Sequence, residues 1–97
     1  MPDPERILVG AHFRRHFGGP GHLLIAPASL VLTKRERSLT HTGTVVRLER
    51  KRWEPPGTNH WFTISDGTSV AWATASTGRA ERITALLTAA GFTVERA

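Results

Sequence analysis

The side chains best placed to do chemistry in this sequence are cations and aromatics. Lys34, Arg35 and Arg37 fall in "KRER", Arg50, Lys51 and Arg52 close "RLERKR", and Arg79 and Arg82 open a C-terminal amphipathic segment. Guanidinium groups fork onto phosphate or carboxylate oxygens, and the free amides of a helix N-terminus add to such a grip. A strict up-and-down path through the strands places residues 34–37, the loop after Arg50 and the start of the last helix at one end, so these eight residues form a candidate anionic-ligand rim. The same runs also read as ordinary solvated faces, because Glu36 and Glu49 neutralise part of the charge.

Trp53 is the candidate aromatic contact, flanking with Trp61 a proline loop, "WEPPGTN". Tryptophan interleaved with arginine is what base stacking on a single strand needs, whereas packing over the loop is the structural alternative. His12 and His16 stand at i, i+4, a metal-ligand spacing on a helix, but no third ligand accompanies them, so no metal site is assigned. There is no cysteine, nucleophile elbow, phosphate loop or paired-carboxylate pattern. The chain therefore reads as non-enzymatic, with no catalytic residue and no cofactor, and Asp66 reads as a turn residue.

With 97 residues, 39% of them hydrophobic, the chain has material for one core. Thirteen Lys and Arg against eight Asp and Glu give a formal charge of +5, which favours anionic partners. No apolar run approaches the roughly 20 residues of a membrane span, and no basic-then-apolar signal opens the sequence. A soluble, cytoplasmic protein is the expectation.

Residues 1–20 carry two competing signals. Asp3 before Pro4, the spacing of Val9, Phe13 and Phe17, and the Gly18-Gly19-Pro20 stop describe a helix. Arg14 and Arg15 oppose its apolar stripe, a basic amphipathic pattern that suits a membrane surface or a partner, and the simpler expectation is that the stripe packs on the barrel or on a second copy. "RILVG" serves equally well as an edge strand, and Gly10 costs a helix about 1 kcal/mol relative to Ala. From residue 21 to the end, short apolar or alternating runs divided by turn residues describe an antiparallel barrel: "HLLIA", "LVLTK", "RSLTH" and "VVRLERKR", then a hairpin around Asp66-Gly67. In that hairpin Phe62 and Ile64 share a face with Val70 and Trp72 only if the loop has an odd number of residues, so residues 65–67 are expected to form it, with Gly67 left-handed. Ile83, Leu86, Leu87 and Ala90 then mark an amphipathic helix stopped by Gly91, with Phe92 folding back on Leu87.

Short antiparallel strands, a pair around "DG", and one helix ending in "LLTAAGF" together resemble the bacterial pleckstrin-homology-like domains over residues 21–92. The resemblance implies a partly open barrel of two antiparallel sheets, mostly β in class, with the C-terminal helix plugging one end. Six strands precede the helix where that fold has seven, so the N-terminal segment or a merged strand must supply one. The helix tryptophan of eukaryotic members and the basic hairpin motif of phosphoinositide binders have no match, so lipid binding is not carried over. What the resemblance implies is a non-catalytic recognition module for a protein partner or an anionic surface. "TGTVVRLERKRWEPPGTNHWFTISDGT" resembles instead the first strands of an OB-like barrel, for which single-stranded nucleic acid is the ligand. A structural or homo-oligomerising domain without ligand fits the same elements.

Overall fold

The computed structural model describes residues 4–15, 18–50 and 59–96. Lys51, Arg52, Trp53, His16, Phe17 and most of the proline loop lie outside the described residues. The fold is mostly β, an eight-stranded curled sheet with one helix. Four strands form a first meander, β1 (Glu5–Phe13), β2 (Pro20–Ala26), β3 (Ser29–Lys34) and β4 (Arg37–Thr40). Three form a second, β5 (Val45–Arg50), β6 (His60–Ser65) and β7 (Val70–Ala75). Helix α1 (Thr77–Ala89) and a last strand β8 (Thr93–Arg96) follow. The order across the sheet is β4-β3-β2-β1-β7-β6-β5-β8.

The N-terminal segment is a strand rather than a helix, and an interior strand rather than an edge one. Ile7, Val9, Ala11 and Phe13 are all buried, a period-two set of four that a strand buries on one face. A helix through the same residues would have gathered only Val9 and Phe13 before Phe17, with Gly10 in its middle. β1 pairs antiparallel with β2 on one side and β7 on the other, and so joins the two meanders.

The β6–β7 hairpin departs from its expected parity. Ser65 opposes Val70, Ile64 opposes Ala71, Phe62 opposes Ala73 and Thr63 opposes Trp72. The loop is therefore four residues, 66–69, and an even loop puts Trp72 on the outer face with Trp61 and Thr63. Two interactions fix its length: the Asp66 carboxylate accepts the amides of Thr68 at 2.8 Å and Ser69 at 2.6 Å, and Asp66 N–H reaches Ser69 O at 3.3 Å. The inner partners of Phe62 and Ile64 are thus Ala71 and Ala73, both fully buried.

The concave side holds the core. Leu23, Leu30, Leu32, Val46, Phe62 and Ile64 project into it from the sheet, and Ile83 and Leu87 cover them from α1. Burying a side chain of that size stabilises by about 1.5–3 kcal/mol. The helix stops as its sequence requires: Phe92 N–H donates to Leu87 O at 2.9 Å and Gly91 N–H to Thr88 O at 3.1 Å, with Gly91 at φ 97°. This is a Schellman motif, and the buried Phe92 packs beneath it. Thr93 N–H then donates to Thr44 O at 2.7 Å, starting β8 parallel to β5, a strand absent from the sequence reading.

Gly21 faces the core opposite Val9, where a Cβ would lie 2.6 Å from that of Ala11 and against the Thr33 carbonyl. Gly21→Ala is expected to cost about 1–3 kcal/mol by overpacking. Gly78→Ala, in the exposed first turn of α1 with nothing within 4 Å of its Cβ, should stabilise by about 0.5–1 kcal/mol. Urea unfolding of the two variants should move the midpoint in opposite directions.

Candidate functional site

The expected rim divides between two ends of the sheet. The up-and-down assumption fails at the connection between β4 and β5, which are not neighbours. Residues 41–44 instead cross from one meander to the other. His41 N–H donates to Leu30 O at 2.8 Å, Thr42 N–H to Ser65 O at 2.8 Å, and His41 Nδ1 accepts Ser65 N–H at 3.1 Å. Because β2 and β7 both run antiparallel to β1, the β3–β4 turn, the β1–β2 loop and the β6–β7 loop share one end. The start of α1 lies at the other.

At the loop end the structure gathers five cations. Lys34, Arg35 and Arg37 from the β3–β4 turn meet Gly18, Gly19 and Pro20 around one cleft of about 760 Å³. Glu36 and Arg37 also line an adjoining cleft of about 480 Å³ with Arg14, Arg15, Leu39, Ser69 and Val70. Among the described residues the carboxylate lining the two clefts is Glu36 alone. Arg14, Arg15 and Arg35 are exposed and make no ion pair among the described residues. Lys34 Nζ donates to the Gly18 carbonyl, which ties the two loops together. Arg35 holds φ 54°, a left-handed conformation costing roughly 1–2 kcal/mol in a residue with a Cβ. The two-residue β3–β4 hairpin turn calls for that conformation, as does the β2–β3 turn at Ala28, φ 56°, whose N–H donates to the Ala90 carbonyl at the end of α1, 3.0 Å away.

Of the remaining rim residues Arg50, Arg79 and Arg82 sit at the helix end, and Lys51 and Arg52 lie outside the described residues. Arg50 opposes His60 across the β5–β6 ladder, and His60 Nε2 lies 3.1 Å from Thr77 Oγ1 in the first turn of α1. Arg79 and Arg82 line a third cleft there with Arg6 and Leu8. Arg14 and Arg15 were missed as companions of Lys34, Arg35 and Arg37 because a helical reading of residues 4–17 made them a polar face. The alternation of Ile7, Val9, Ala11 and Phe13 was the signal that carried β1 to that end.

His12 lies in a strand, so it is not half of an i, i+4 pair. Its Nδ1 accepts Gly18 N–H at 3.1 Å and its Nε2 lies 3.2 Å from Thr74 Oγ1, which makes the ring a clasp on the β1–β2 loop. It also packs on Trp61, ring centroids 4.7 Å apart at 36°. Among the described residues no group of three His, Cys, Asp or Glu could hold a metal ion, and no helix is long and apolar enough to cross a membrane. No known protein family, curated protein or solved structure matches the chain.

The amide bonds from Ser69 and Thr68 hold the Asp66 carboxyl below its ordinary pKa. What Asp66 adds to the loop is therefore complete above the ordinary aspartate range near 3.9 and is lost as pH falls through the lowered value. In an acid titration followed by NMR, the Thr68 and Ser69 amide resonances should shift with a midpoint below that range, and Asp66→Ala should abolish the shift.

Proposed function

We propose that the chain is a non-catalytic recognition module that grips an anionic ligand, bearing phosphate or carboxylate groups, between the β1–β2 and β3–β4 loops. The observation that carries this reading is the convergence of Arg14 and Arg15 with Lys34, Arg35 and Arg37 on two adjoining clefts that, among the described residues, only one carboxylate lines. Arg35 itself occupies the first position of the two-residue β3–β4 turn, whose left-handed backbone glycine would adopt free of cost.

A pleckstrin-homology-like architecture is the finer reading of the fold. It is supported by seven strands in two meanders followed by a helix over the open side, with β1 as the seventh strand that the count from residue 21 lacked. β8, parallel to β5, is an addition to that plan. A five-stranded OB-like barrel accounts for fewer of these elements.

One observation favours a second reading, single-stranded nucleic acid on the outer face. The His12–Trp61 pair stands there beside Trp72, with Arg47 opposite Thr63, and stacking on such aromatics is tolerant of sequence.

Co-sedimentation with phosphatidylcholine vesicles containing an anionic lipid, and titration with inorganic phosphate and with oligo-dT at low and high salt, test both readings. Vesicle or phosphate binding is expected, falling about ten- to hundredfold in Arg14→Ala combined with Arg35→Gly. Arg35→Gly alone should leave the unfolding midpoint unchanged or higher. A salt-sensitive quench of tryptophan fluorescence by oligo-dT that this double variant leaves intact would replace the first reading with the second.

A further inference from the structure

The other end of β1 carries an unfinished ladder. Ala11 N–H donates to the Gly19 carbonyl at 2.9 Å, so the odd residues of β1 bond toward β2 and the even ones toward β7. On the β7 side the pairing runs from Phe13 only as far as Gly10, opposite Thr74. One residue later the chain leaves the sheet for α1. The N–H and C=O groups of Arg6 and Leu8 therefore point into the space where β7 would have continued, and no hydrogen bond fills them among the described residues.

That space is a cleft of about 440 Å³ between the start of β1 and the first turns of α1. Arg6, Arg79 and Arg82 line it, all exposed and without an ion pair among the described residues. Among the described residues no carboxylate lines it. Leu8 stands beside it on the outer face, 47% exposed, one of the two large apolar side chains that the fold leaves in water among the described residues. The first turn of α1 contains no acidic residue, and Ser76 at the N-cap makes no side-chain cap bond. Arg79 occupies the third helical position, where the helix dipole disfavours a cation. The fold gains nothing there from the charge.

We propose that this gap is a docking slot for an extended acidic segment of a partner protein, which adds as a short strand in line with β7. The main chain of Arg6 and Leu8 supplies the ladder, as in other cases of strand addition. Arg6, Arg79 and Arg82 take the carboxylates, and Leu8 meets one apolar side chain of the segment. A second copy of this chain is a poor occupant, because its formal charge is +5. The slot is distinct from the loop-end clefts, since seven residues of β1 separate Arg6 from Arg14, roughly 23–26 Å.

Fluorescence anisotropy with a fluorescein-labelled peptide of alternating glutamate and valine tests the slot in the full chain. Saturable binding is expected, with a Kd on the order of tens of micromolar. The same peptide N-methylated at alternate residues keeps its charge and loses its ladder, and it should bind at least about tenfold more weakly. Arg79→Glu gives Ser76 a capping-box partner three residues on. It should raise the melting temperature while weakening the peptide about tenfold or more. Arg35→Gly, at the opposite end, should leave peptide binding unchanged while it weakens the anion site, so the two sites fail separately. Equal binding of the N-methylated peptide, loss of binding in Arg35→Gly, or no binding at low salt would each overturn the proposal.

Discussion

The pairing of Gly10–Phe13 with Ala71–Thr74 is the constraint on which everything else here depends. It joins two meanders that otherwise have only a short crossing connection, and it sets β2 and β7 running the same way. Its inner side is made mostly of small residues: Ala11, Ala71 and Ala73 are fully buried, with Phe13 at the loop end opposite Ala71. With so little volume on the concave side of the seam, the sheet can curl enough for Leu39 of β4 to line a cleft with Val70. Larger residues there would hold the sheet flatter and keep the loops apart.

Local signals in the sequence were informative where the physics is local. The alternation of Val46 and Leu48 with Arg47 and the helix ending at Gly91 both follow from neighbours within a few positions, whereas the hairpin loop read as "PAS" is one residue shorter, because Ser29 already pairs with Ala26. Parity in the last hairpin did not follow from neighbours either, because "VAWATA" offers two faces and the larger apolar one is the outer one. Trp72 looked like core by size, yet the inner positions of β7 hold only alanine, Ala71, Ala73 and Ala75. What placed it outside was Asp66 capping the amides of both Thr68 and Ser69, a loop of four that "SDGTS" does not distinguish from a loop of three.

The candidate site was half legible for the same reason. Lys34, Arg35 and Arg37 were visible as a basic turn, but their companions depend on which strands are neighbours, and that is decided by β1. A chain read as a simple meander brings Arg79 and Arg82 to that turn. A chain whose first strand lies between the second and the seventh brings Arg14 and Arg15 instead. The result is a molecule with cations at both ends of one strand, held by a single small-residue seam.

Placing β1 in the interior also dictates an order of assembly. Within the first meander each strand pairs with a sequence neighbour and can form once residues 5–40 have left the ribosome, but the second edge of β1 waits for β7, where Thr74 lies 64 residues beyond Gly10. At about 5–20 residues per second, that edge stays bare for several seconds of synthesis, and closing so long a loop is the slow kind of step in folding. The first half of this chain thus emerges as an open sheet with an apolar face, and the interval before β7 arrives is when a chaperone has most to protect.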